Sequence, residues 1–237
     1  MERPGGLHEN DPPGGHRVNP EHAALIDGEP LPRERIDSFL EAPYRGAANC
    51  ATSHNEPAPA RRQPEAPSVA RQRRRWATQV VLTDELARRA CSQRGLSVPE
   101  ELSPASVLAV AETDVADLGS IVAAALAHSE AARTLLAALE AEQTVPEAAV
   151  RDYYDRNQDR FLTPDALRRG VDPFGEAAPS DTLPYEDVRE AISRELLRAA
   201  GRQAFFGWLD QSRAGVTYSP GHEHPGDPSH PDHEHRH

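Results

Sequence analysis

The sequence contains no lysine. All 26 basic residues are arginine, against 38 aspartate and glutamate residues, and the formal net charge is −12. The absence of lysine excludes lysine nucleophiles and Schiff-base chemistry. The acidic balance argues against nucleic-acid binding, which needs a basic stripe to displace counterions from phosphates. The densest basic run, from Arg71 to Arg75, is predicted to be the solvated start of a helix.

Aromatic residues, cysteines and long apolar runs are also scarce. Aromatic residues make up 5% of the chain, and no apolar run approaches the roughly 18 residues that span a bilayer. The richest run, 121–127, predicts a buried helix, and residues 1–20 lack the apolar region of a secretory signal. Two cysteines, Cys50 and Cys91, make no disulfide framework. We therefore expect a cytoplasmic protein without a membrane partner.

Proline and glycine divide the chain into three parts. Residues 1–21 are polar and rich in both, and are predicted to be disordered. Residues 22–215 are predicted to form one helical domain, with proline-rich loops at 42–67 and 162–183. Residues 216–237 are predicted to form an extended tail of histidine, aspartate and proline.

Hydrophobic periodicity predicts a mainly α-helical fold with a small N-terminal β-hairpin. The hairpin is placed at Asp27-Gly28, between two short apolar runs, because glycine adopts positive φ at little cost. Thr144 and Glu147 match a capping box, which predicts a helix start. Further helices are predicted after Pro32, over 69–94 with Gly95 as C-terminal cap, after Ser103 and Ser129, and from Pro184 to about Gly215.

Three stretches carry a family resemblance. The first runs from Ile26 to Leu40, the second from Val145 to Phe161, and the third from Pro184 to Leu196. In this order they resemble the SurA/PrsA-type foldases, bacterial chaperones that carry parvulin prolyl isomerase domains. The stretches are similar to their N-terminal hairpin and helix, the helix that enters the isomerase domain, and the helix that returns from it. The resemblance implies a helical chaperone core that cradles unfolded polypeptide.

One part of that family is missing from this chain. In the foldases a whole parvulin domain separates the second and third stretches, whereas here only residues 162–184 lie between Phe161 and Tyr185. A parvulin fold does not fit in this length. No residue inherits the isomerase site, and we expect no prolyl isomerase activity.

The C-terminal tail has the composition of a metal-binding segment. Residues 222–237 hold six of the 11 histidines, with carboxylates between them, and the segment is similar to the ending of actinobacterial proteins of this type. Neutral imidazole is a good ligand for copper or zinc, and carboxylates complete or orient the coordination shell. Prolines stiffen the tail and lower the entropy cost of docking it on the helical body. The predicted ligands are His222, His224, Asp227, His230, His233, His235 and His237.

Other candidate sites are less specific. His128, or Cys50 with His54, is an alternative source of one further metal ligand. Four aromatic residues either line a groove for a peptide or small ligand or, more simply, pack in the core. The exposed ones on the last helix are equally compatible with a homodimer seam. These four are Tyr153, Tyr154, Phe205 and Trp208.

Three functions remain open from the sequence. The first is a chaperone-like module that binds unfolded polypeptide or a partner protein and carries a metal-binding tail. The second is a copper- or zinc-dependent enzyme acting on a small-molecule substrate in a cavity of the helical body, with His224, His235 and His237 as ligands. The third is metal storage or delivery by the tail alone.

Overall fold

The computed structural model describes residues 21–47, 66–99, 116, 118–172, 175, 178 and 180–224, without the side chains of 42–47. Within these residues the chain is mainly helical with a small antiparallel sheet, which confirms the predicted fold class at that level. The predicted disordered segment up to residue 20 lies outside the described residues.

The described elements, in chain order, are β1 (His22–Ile26), β2 (Glu29–Pro32), α1 (Arg33–Ala47), α2 (Pro67–Arg94), α3 (Ser120–His128), α4 (Glu130–Ala141), α5 (Glu147–Arg156), a 3-10 turn (Gln158–Phe161), α6 (Pro164–Arg169), α7 (Tyr185–Arg213) and β3 (Val216–Tyr218). They fall into two compact units. Unit 1 contains residues 1–78 and 216–237, and unit 2 contains residues 79–215.

The sheet of unit 1 has the order β2-β1-β3. Asp27 and Gly28 join β1 to β2 with φ angles of 51° and 86°, as in the two-residue turns that match the twist of paired strands. The predicted hairpin is thus confirmed. β3 pairs antiparallel with β1, with Ile26 opposite Val216. This third strand lies in the range 216–237 that the sequence predicts as tail.

Helices α1 and α2 supply the rest of unit 1. α1 continues to Ala47, so it extends into the range 42–67 that is predicted as loop; residues 48–65 lie outside the described part. Ile36 of α1 is buried. The rings of Phe39 and Trp76 pack with their centroids 5.8 Å apart.

Unit 2 is built on the long helix α7, which packs against α4 and α5. Ser129 caps α4, as predicted, by accepting a hydrogen bond from the backbone N–H of Ala132 at 3.0 Å. At the start of α7, Tyr185 and Ile192 are buried against Val150 of α5. The range 162–183, predicted as loop, contains α6 and a bridge between Leu162 and Thr182.

No described helix is by itself long and apolar enough to cross a membrane. Only α3 and α4 taken together pass that criterion, and the two helices are bent by 105° where they meet.

Candidate functional site

The described chain ends in a short segment at the beginning of the histidine-rich tail. We call residues 219–224 the tail root. The root turns directly after β3, where Ser219 N–H donates to the carbonyl of Ala23 at 2.9 Å and His222 N–H donates to the carbonyl of Ser219 at 3.0 Å. Gly221 has a φ of 85°. The root is therefore joined to the sheet of unit 1 by main-chain hydrogen bonds.

Arg75 of α2 holds the end of the root. Its side chain is 1% exposed. Nε donates to the carbonyl of Glu223 at 3.1 Å, and Nη2 donates to the carbonyl of His224 at 2.7 Å. The carboxylate of Glu223 lies 3.9 Å from Nε and accepts from Gly221 N–H at 2.9 Å. A buried guanidinium thus binds the main chain at the two residues where the rest of the tail begins.

His222 is the deepest residue of the tail root, with 4% of its surface exposed. Its Nδ1 lies 2.8 Å from Oγ1 of Thr78 in α2. Burial, followed by the guanidinium groups of Arg33 and Arg74, lowers the pKa of His222 to about 4. The ring is therefore neutral at pH 7, which is the protonation state that a metal ligand requires.

The other predicted metal ligands are divided by the limit of the described chain. His224 is half-buried, with its carbonyl bound by Arg75. Within the described residues no three His, Cys, Asp or Glu side chains form a metal-binding group, so the metal site stays a prediction. The ligands outside the described residues are Asp227, His230, His233, His235 and His237.

The predicted aromatic groove residues occupy two regions of unit 2. The Tyr153 hydroxyl donates to Glu195 at 3.0 Å and the Tyr154 hydroxyl donates to the Leu183 carbonyl at 2.7 Å. Phe205 is 1% exposed and packs on Trp208, with ring centroids 5.1 Å apart. Ten residues of α7 separate Glu195 from Phe205, or about 15 Å along the helix. The tyrosines and the Phe205–Trp208 pair therefore do not share one groove.

The remaining candidates fall into buried or undescribed positions. Cys91 is buried and its thiol donates to the carbonyl of Ala131 at 3.4 Å; burial raises the pKa of Cys91, so the thiol is protonated and unreactive at neutral pH. His128 ends α3 and is half-buried. Cys50 and His54 lie outside the described residues.

Arg75 and Thr78 are the residues of this region that sequence reasoning missed. Arg71 and Arg73 of the same basic run are exposed, as predicted, but Arg75 is buried. A periodicity search for apolar residues passes over it, although Arg75, Thr78 and the buried Leu82 recur at spacings of three and four residues along one helix face. That spacing is the signal that was available.

Comparison of the chain with family models, with curated proteins and with solved structures gives no significant match.

Proposed function

We propose that this protein binds a transition-metal ion, copper or zinc, through its histidine-rich tail, and that the helical body holds the root of that tail in place. The observation that carries the proposal is the grip of buried Arg75 on the carbonyls of Glu223 and His224. Disordered metal-binding tails need no such anchor. Here a buried charge is used to fix the chain at the point where the histidine run begins.

The chemistry of the tail agrees with this proposal. From His222 onward the sequence alternates imidazole and carboxylate groups and contains neither cysteine nor methionine. Such a ligand set suits zinc and copper(II) better than copper(I), which prefers sulfur. Fixing one end of the ligand run lowers the entropy lost when the remaining ligands close on an ion.

The test is the metal content of untagged full-length protein purified without any affinity metal, measured by mass spectrometry. We expect copper or zinc at about one ion per chain. A full-length variant in which His230, His233, His235 and His237 are replaced by asparagine should lose most of it. The matched control is His22→Asn, which changes a histidine of β1 outside the tail and should retain the metal. Protein that is purified metal-free, and does not retain added copper or zinc after dialysis, would overturn the proposal.

Binding of unfolded polypeptide by the helical body stays a prediction from the family resemblance. Client-binding chaperones expose contiguous apolar surface. Among the described residues, the large apolar side chains that are exposed are Val69 and Leu167, which does not favour client binding over metal binding. An aggregation assay with an unfolded client separates the two, because chaperone activity of the body should survive the loss of the tail histidines. A metal-dependent enzymatic activity likewise stays a prediction.

A further inference from the structure

The hydroxyl of Thr78 determines the tautomer of His222. Thr78 Oγ1 donates its single hydrogen to the main-chain carbonyl of Arg74, at 2.9 Å. The same oxygen lies 2.8 Å from His222 Nδ1, and it has no second hydrogen to donate. It therefore accepts the hydrogen of Nδ1–H. In the neutral ring this arrangement leaves the lone pair on Nε2.

A histidine in this state is prepared to bind a metal ion. Metal-bound histidines usually donate their second ring N–H to an oxygen atom, which fixes the tautomer and the ring orientation and increases ligand basicity. His222 already makes that hydrogen bond, to an oxygen that is itself fixed by the backbone of α2. The ring is also neutral before the ion arrives, so no proton has to leave.

We propose that Nε2 of His222 is a ligand of the metal ion bound by the tail, and that Thr78 is the positioning residue that holds this nitrogen ready. The inference rests on the proposed function, since the other ligands are tail residues predicted from the sequence. It goes beyond that function because it makes helix α2 part of the metal site. His224 follows two residues later, with its carbonyl held by Arg75.

The charges near His222 narrow the choice of ion. Arg33 and Arg74 oppose a cation near the ring, whereas Glu223 and Asp37 favour one. Calcium and magnesium depend on oxygen ligands and anionic charge and are disfavoured in such surroundings. Zinc and copper form directed bonds to neutral imidazole and depend less on the net charge of the site. The carboxylates of the tail supply further negative charge.

The test compares zinc affinity in three variants of the full chain, by competition with a chromophoric chelator. Thr78→Val removes the hydroxyl at nearly constant shape and should weaken zinc binding about 10- to 100-fold, as expected for loss of an outer hydrogen bond. Thr78→Ser keeps the hydroxyl and should retain the affinity. The control is Thr83→Val: Thr83 is also buried in α2 and donates to a carbonyl four residues earlier, that of Gln79, at 2.8 Å. It should leave zinc affinity unchanged.

Nitrogen-15 NMR of histidine-labelled full-length protein gives a direct readout. On addition of zinc, His222 Nε2 should move from the resonance of an unprotonated nitrogen to that of a metal-bound one, while Nδ1 keeps its proton. If zinc binds with unchanged His222 resonances and with equal affinity in the Thr78→Val and Thr83→Val variants, the assignment of His222 and Thr78 is overturned and the proposed function stands. If the unmodified chain binds neither zinc nor copper, both fail.

Discussion

Gly201 of α7 lies directly against Glu140 of α4. A Cβ atom on residue 201 would come within 2.8 Å of Glu140 Cβ and 2.9 Å of Glu140 Cα, well inside the separation at which carbon atoms attract each other. Only glycine allows the two helix backbones to approach this closely. The packing of α4 on α7 thus depends on the absence of a side chain at position 201.

Gly201→Ala is therefore expected to destabilise the protein, by about 1–3 kcal/mol, because a methyl group must force two packed helices apart. Gly207→Ala is the matched control. Gly207 lies in the same helix with no atom within 4 Å of an added Cβ, so alanine there should stabilise by about 0.5–1 kcal/mol through helix propensity. Urea denaturation measures both. Midpoints that shift in the same direction would contradict the role given to the close contact.

Glu223→Gln is expected to lower the free energy of unfolding by about 1–3 kcal/mol, because it removes the carboxylate facing a buried guanidinium. Arg75 and Glu223 have side-chain exposures of 1% and 23%. The control is Glu142→Gln, whose partner Arg94 is at 3.0 Å but whose ion pair is exposed; its effect should stay below about 1 kcal/mol. Equal costs in the two variants would show that burial of Arg75 does not matter.

A carboxylate in unit 2 should make the protein sensitive to acid. Glu147 accepts a hydrogen bond from the Tyr185 hydroxyl and two from Arg189, at 2.8 Å each from Nε and Nη2. The Arg189 guanidinium is the main cause that lowers the pKa of Glu147 from 4.5 to about 2. Because the folded pKa is the lower one, the contribution of Glu147 is complete above about pH 4.5 and is lost as the pH falls toward 2.

Glu147→Gln should therefore destabilise the protein near neutral pH and lose less stability than the unmodified chain between pH 4.5 and 2. The measurement is the thermal midpoint across this range for both proteins. The difference between them isolates Glu147, since other acids titrate in both. A gap between the two midpoints that does not narrow on acidification would show that the Glu147–Arg189 pair is not responsible.

Local turn and cap signals were predictable from the sequence, because they depend on one or two residues. Asp27 and Gly28 both have the positive φ of the predicted turn. Gly95 ends α2 with a φ of 66°, and the N–H of Leu96 donates to the carbonyl of Cys91. The predicted capping box was wrong: Pro146, not Thr144, precedes the first turn of α5, and no side chain caps it.

The candidate site was predictable only in part. The metal-binding composition of the tail is visible in the sequence, but its anchor is not. Arg75 and His224 are separated by 149 residues, so no local pattern connects them, and charged residues are excluded from a search for buried positions. β3 was missed for the same reason: three residues, Val216–Tyr218, become a strand only because β1 is there to pair with them.

The pairing of β3 with β1 predicts that two truncations of the chain differ sharply. A chain ending at Gly215 loses β3 and the whole tail root, so β1 becomes an edge strand and Ala23 loses the hydrogen bond from Ser219. A chain ending at His224 keeps β3, the contact between Thr78 and His222, and both carbonyls bound by Arg75.

We expect hydrogen exchange of the amides in residues 22–32 to accelerate at least about tenfold in the chain ending at Gly215, because local opening of the hairpin no longer breaks the β3 contacts. The chain ending at His224 should exchange like the full-length protein while lacking most of the predicted metal ligands. If exchange in this segment is unchanged by removal of β3, the C-terminal strand does not stabilise the hairpin. The fixed tail root would then lose its structural basis, and the tail would bind metal, where it binds any, without help from the body.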